Sequence, residues 1–145
     1  MWLFDIFKKK STPEKKPESS SAIKKSDKLW EMWRAGGVPS PYGELMTYFH
    51  EMEKETSKVG GGYYEFFSSL NDESYVDTIL KSVSTILPDS GATAVLTDAV
   101  NAYKRYKGVS EEELKRILSE CDYLYLDDKD DLKTAIEKYA EVSEL

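Results

Sequence analysis

The chain is poor in cysteine and histidine and has no long apolar run. One cysteine, Cys121, in 145 residues excludes an internal disulfide and a zinc site built from several thiolates. One histidine, His50, excludes a multi-histidine metal centre and a relay of several histidines. No stretch of roughly 18 apolar residues is present, so no membrane-spanning helix is expected. The opening, MWLFDIFKKK, has an apolar part too short for a secretory signal, and its lysines follow that part instead of preceding it. The expected location is the cytoplasm.

Charge is abundant and unevenly placed. The formal net charge is -7. Residues 1–28 carry eight lysines against four acids, a balance of +4, and residues 29–145 carry 12 basic and 23 acidic residues, a balance of -11. The body is acidic and the tail basic. An acidic body is repelled by a phosphate backbone, so direct nucleic-acid binding is not expected. It attracts a basic protein surface, although net negative charge also serves solubility alone.

Two parts follow. Residues 1–28 read as a basic, flexible tail. Within it, 8–28 are mostly Lys, Ser, Pro and Glu, which cannot supply a core and read as a disordered linker. Ahead of the linker, Trp2, Leu3, Phe4, Ile6 and Phe7 precede Lys8–Lys10. That order suits weak, reversible contact of Trp2–Lys10 with an anionic membrane surface, peripheral at the inner membrane. Packing back on the body is the plainer alternative.

Residues 29–145 read as an acidic all-α domain, a compact bundle of about seven helices, several of them short. Lys28–Ala35 places Leu29, Trp30 and Trp33 on one face and ends at Gly36-Gly37. From Tyr42 to about Val59, Leu45, Met46, Phe49 and Met52 recur at helical spacing. Gly60, Gly61 and Gly62 then turn the chain. Tyr63, Phe66, Phe67 and Leu70 follow at i, i+3, i+4 and i+7. Ser74–Leu87 turns Val76, Ile79, Leu80, Val83 and Leu87 inward. Ser90–Tyr106 does the same with Ala92, Val95, Leu96, Ala99, Val100 and Tyr103. Ser110 and Glu113 have the spacing of a capping box, opening a helix lined by Leu114, Ile117, Leu118 and Cys121. Tyr123–Leu126 is either extended or a last helical turn. Asp127–Asp131, DDKDD, reads as a turn with Asp130 as cap. A final helix runs from about Leu132 to Val142, with Leu132, Ile136 and Tyr139 inward.

Few residues carry chemistry. His50 has Glu53 at i+3 but lacks the paired histidine of a helical zinc motif, and reads as a surface residue. The DDKDD run has neither the central glycine nor the final glutamate of a calcium loop. The glycine triplet lacks the Lys and Ser or Thr of a phosphate loop. Cys121 has no base near it in sequence and reads as a small core residue. Glu65 either accepts amide hydrogen bonds at the Gly61-Gly62 turn and fixes it, or is the acid of a small-ligand or enzymatic site at Gly60–Phe67. No complementary nucleophile or base accompanies it, so a non-catalytic protein is favoured and no cofactor is expected. Ten tyrosines and three tryptophans offer interface area as readily as core spacers.

Residues 59–71, VGGGYYEFFSSLN, resemble the signature of a bacterial all-helical family of unknown function that includes a DNA-mimic protein. That signature runs Asn-Gly-Gly, an aromatic residue, any residue, Gln, two aromatics and a later Asn. Gly61, Gly62, Tyr63, Phe66 and Phe67 match it; Gly60, Glu65 and Ser69 replace the Asn, the Gln and the later Asn. A closing patch, YLDDKDDLKTAIEKYA, is also similar, through Leu126, Asp127, Asp128, Asp131 and Leu132. The resemblance spans about residues 40–142. It implies an acidic helical domain without catalytic residues; in one family member the surface charge is similar to duplex DNA and blocks a DNA-binding regulator.

The expected function is therefore a non-catalytic protein-binding module, acting as a DNA-charge mimic. Its expected contacts are Glu111, Glu112, Glu120, Asp122, Asp127, Asp128, Asp130 and Asp131. They belong to residues 111–145, which hold 12 acids against 5 basic residues. Two alternatives stay open: the small-ligand or enzymatic domain at the glycine turn, and an accessory protein, monomeric or a homodimer, tethered by its tail.

Overall fold

A computed structural model describes residues 17–145, with side chains from residue 25 onward. Seven helices and no strand occur among the described residues: α1 (Pro17–Arg34), α2 (Tyr42–Thr56), α3 (Tyr63–Ser68), α4 (Tyr75–Ile86), α5 (Gly91–Tyr106), α6 (Glu111–Asp128) and α7 (Asp130–Val142). The all-α expectation holds. None of these helices is long and apolar enough to cross a membrane.

The main pairing sets α5 against α6. Every residue expected inside α5 is buried, from Ala92 to Tyr103. Ala92, Ala99 and Ala102 keep that face low, so Leu114, Leu118 and Cys121 of α6 can pack against it. Helix α4 lies against α2 and α5, α7 against α1 and α2, and the short α3 against α2 and α6. Leu45, Met46, Tyr48 and Met52 of α2 and Tyr63, Phe66 and Phe67 of α3 are buried in the same core. Trp30 and Trp33 of α1 meet edge to face at 5.3 Å, and the Trp33 indole donates to Thr47 at 3.0 Å.

Three local expectations are corrected. First, the helix expected over Lys28–Ala35 is longer: α1 runs from Pro17 to Arg34. Proline is well placed at a first helical position, and no breaker follows it in PESSSAIKKSDK. Lys25 also donates to the Glu141 carbonyl at 3.1 Å, tying α1 to the end of α7. Residues 1–16, including the proposed membrane contact at Trp2–Lys10, lie outside the described residues.

Second, DDKDD is not a turn. Helix α6 continues through YLYL to Asp128, and α7 restarts at Asp130 after Lys129 alone, itself in the helical region. Asp130 is the first residue of α7 and not its cap. Third, only half of the expected capping box forms at Ser110. Its hydroxyl accepts from the Glu113 amide at 3.3 Å, but the Glu113 carboxylate turns to Arg116 at 2.6 Å. The Ser110 amide bonds instead to the Tyr106 carbonyl at 2.9 Å.

Candidate functional site

The three-glycine turn is where sequence and packing are most tightly coupled. Gly60 has φ +78, a conformation open to glycine and strained for other residues. A Cβ at Gly61 would lie 2.2 Å from the Glu55 carbonyl oxygen. A Cβ at Gly62 would lie 2.2 Å from the carboxylate of Asp122. The glycines are thus required mainly by close approach: the turn is pressed against the end of α2 on one side and against α6 on the other.

Helix α3 follows at once and has no side chain at its N-cap, Gly62. Two carboxylates supply what that glycine lacks. Glu65 accepts the Gly62 amide at 2.9 Å, closing the first turn from within. Asp122 reaches across from α6 and accepts the Tyr63 amide at 2.8 Å through Oδ1. Both bonds satisfy amides that the helix start leaves without partners. Glu65 is exposed and fixes the turn, the first of its two sequence readings. Asp122 is half-buried. Burial, with the charge of Glu65 nearby, pushes its carboxyl up to about 6, partly offset by the Tyr63 amide.

Beneath the turn lies a cluster of buried tyrosines. The Tyr48 and Tyr63 hydroxyls bond to each other with no exposure to water. Tyr125, also fully buried, donates to Glu53 at 3.0 Å, and Lys129 completes that contact at 3.1 Å. Burial pushes all three hydroxyls well above the ordinary tyrosine range. They stay protonated at neutral pH; one of the Tyr48–Tyr63 pair donates to the other, Tyr125 donates to Glu53, and these bonds fix the packing of α2, α3 and α6. Cys121 stands beside them, buried, its thiol pushed up to about 11 chiefly by desolvation. It is a core residue, as expected. His50 is exposed at the surface, its ring 4.8 Å from that of Trp33.

The eight acids proposed as partner contacts separate into distinct groups. Asp122 is committed to Tyr63. Asp128 sits against Gly91, and Asp131 accepts from the Ser90 hydroxyl at 2.6 Å, so both lie at the start of α5 and Asp131 braces it. Glu111 accepts from Tyr64 at 2.8 Å and from the Gly108 amide at 3.2 Å. Its carboxyl is held below the usual range, first by the Tyr64 hydroxyl. Glu120 pairs with Arg116 at 3.1 Å. Glu112, Asp127 and Asp130 are exposed and form no ion pair among the described residues. Asp122, Asp131 and Glu111 thus accept hydrogen bonds within the fold, and Asp128 faces Gly91.

Sequence reasoning missed an apolar group among these acids. Tyr123, Leu124 and Leu126 of α6 are 73%, 47% and 48% exposed, and Val59, in the turn after α2, stands clear of the surface. Beside Tyr123 and Leu126 opens a cleft of about 210 Å³, with Gly60, Gly61, Ser119 and Asp122 also in its lining. Glu65 is not part of it. The available signal was the continuation of the 114, 118, 121 spacing to Tyr125. It makes YLYL helical and turns its other residues outward. Comparison with protein-family models, curated proteins and solved structures finds no match. The family resemblance thus rests on its two sequence patches alone.

Proposed function

We propose that this chain is a non-catalytic binding module for a basic protein, and that the outer face of α6 is its docking surface. The observation that supports this most is the exposed Tyr123-Leu124 step between Glu120 and Asp127. Successive residues of a helix are 100° apart, so Glu120, Leu124 and Asp127 share one face and Tyr123 borders it. An apolar centre with a charged rim is the common anatomy of a protein interface, and tyrosine is a frequent anchor there. Glu120 is shared with Arg116 while Asp127 forms no ion pair among the described residues, so the rim keeps a net negative charge that favours a basic partner and speeds encounter.

The narrower reading, carboxylates replacing duplex phosphates, has less support. Glu120 and Asp127 are seven residues apart, about 10 Å along the helix. Duplex phosphates recur about every 3.4 Å along each strand. Asp122, the one acid between them in sequence, accepts the Tyr63 amide instead. The partner recognised is therefore a basic surface with an apolar contact of its own, and DNA-binding proteins are one class that offers this.

Affinity capture by the full chain from its host's lysate tests the reading, at low and physiological salt, beside two variants. One is Tyr123→Ala; the other combines Glu112→Gln, Asp127→Asn and Asp130→Asn. The expected result is a basic protein retained by the wild type, weakened by salt, and reduced about fivefold or more by Tyr123→Ala. Competition by duplex DNA would narrow the partner to a DNA-binding protein. Equal recovery by the wild type and both variants would overturn the proposal.

A further inference from the structure

We propose that the cleft beside the three-glycine turn binds one basic side chain of the partner, a lysine or an arginine. This inference rests on the protein-binding reading above and names the group that the module recognises. Two walls make the cleft: Gly60 and Gly61, which bring no side chains, and Tyr123 with Leu126, which bring apolar surface. Asp122, with its carboxylate, and Ser119, with its hydroxyl, are also lining residues. Lys58 also reaches the lining, but its charge is answered by Glu55 at 3.4 Å.

The chemistry of this lining selects a cation on an apolar stem. Asp122 uses Oδ1 for the Tyr63 amide, while Oδ2 has no hydrogen-bond partner among the described residues. No lysine or arginine among those residues lies within ion-pair distance of it. A half-buried carboxylate near neutral pH, with Glu65 as its charged neighbour, is short of positive charge. Lysine and arginine carry that charge at the end of methylene groups, which can cover Leu126. The Tyr123 ring, open to solvent, offers a face for a cation–π contact. An anion is repelled by Asp122. A purely apolar group would leave the carboxylate desolvated and unpaired. A metal ion would need more ligands: no cluster of three His, Cys, Asp or Glu suited to one occurs among the described residues.

On the helix, Tyr123 lies between this cleft and the Glu120–Leu124–Asp127 face, so one docked segment can use both. The test is a nuclear magnetic resonance titration of the full chain with N-acetyl-arginine amide and with N-acetyl-lysine amide. N-acetyl-citrulline amide, neutral and of arginine's shape, is the control. Saturable shifts are expected at the amides of Gly60, Gly61, Ser119 and Tyr123 with a basic probe, and none with citrulline. Asp122→Asn keeps an acceptor for Tyr63 and should weaken binding about tenfold. Tyr123→Ala, a surface change that leaves the core alone, should weaken it about threefold. Shifts that never saturate, equal citrulline's, survive Asp122→Asn, or fall only along Glu120–Asp127 overturn the cleft. If the α6 variants still lose a basic partner in the capture experiment, the protein-binding reading stands without the cleft. If capture recovers nothing that those variants lose, that reading falls whatever the titration shows.

Discussion

Gly62, the N-cap of α3, and Gly91, the first residue of α5, each face an aspartate of α6, yet the two junctions are built differently. At Gly62 an added Cβ would come within 2.2 Å of Asp122; at Gly91 it would come within 2.6 Å of Asp128. Helix α5 has a cap of its own, since the Ser90 hydroxyl accepts from the Ala92 amide at 3.0 Å. That hydroxyl also donates to Asp131. Helix α3 has no such residue, and Asp122 replaces it from 59 residues away in sequence. Gly62 is buried, whereas Gly91 is half-exposed. An acid beside a helix start is thus structurally necessary where the helix lacks its own cap and water cannot reach its amides. Elsewhere it is an accessory.

Alanine at the two glycines should separate the junctions most sharply. Gly62→Ala forces the Asp122 carboxylate away and breaks its bond to Tyr63, in a site with little room. The expected loss is about 2–3 kcal/mol in urea unfolding. Gly91→Ala meets only the movable end of Asp128, and alanine is the better helix former. Its expected effect is below about 1 kcal/mol in either direction. Shortening Asp122 to alanine should relieve part of the Gly62→Ala clash, so the double variant should lose less than the sum of the singles. Equal losses at the two glycines would break the comparison.

The next effect in size lies under the α3 junction. Tyr63→Phe leaves the Tyr48 hydroxyl fully buried without its partner. A loss of about 1–3 kcal/mol is expected. Removing both hydroxyls should cost less than the two single losses added, because no polar group is then stranded. Strict additivity in the cycle would show that the hydroxyls do not act as a pair.

The legible and illegible parts of this chain divide along similar physical lines. Helix α5 was legible because its burial is periodic: each apolar residue from Ala92 to Tyr103 marks the same face. Glu65 was legible as a turn acceptor because its partner is three residues away. The Tyr48–Tyr63 and Tyr63–Asp122 bonds were not, since each joins elements whose proximity only the fold creates. Tyr48 itself lies between Leu45 and Met52 at i+3 and i-4, so its burial was available from spacing. Asp122, Asp131 and Glu111 looked like surface charge because composition counts carboxylates without showing what they accept. The start of α1 was illegible for the opposite reason. Its polar, lysine-rich residues show no apolar periodicity that marks a helix, yet none after Pro17 opposes one.

Asp122→Asn should sharpen the comparison through pH. The Asp122 carboxyl is raised to about 6 in the folded chain, chiefly by burial. Between about pH 4 and 6 the folded state therefore holds a proton that the unfolded state releases. The contribution of this group is full below about pH 4 and lost as pH rises through 6. Asparagine keeps an acceptor for Tyr63 and never ionises. The variant should match wild type near pH 4 and exceed it near pH 7, a gap that urea midpoints across that range would reveal. A gap that closes as pH rises would contradict the assignment.

Asp128→Asn is expected to have the smallest effect. Asp128 lies at the start of α5, where a negative charge helps the helix by about 0.5 kcal/mol. Ser90 remains to cap the helix and Asp131 remains beside Ser90, so no backbone amide is stranded by the change. The variant should stay within about 0.5 kcal/mol of wild type in urea unfolding. Removing Ser90 as well, by Ser90→Ala, takes away the cap that makes Asp128 redundant. In that background Asp128→Asn should cost more than it does alone, bringing α5 closer to the condition of α3. No increase would mean that the Ser90 cap does not explain why the two junctions differ.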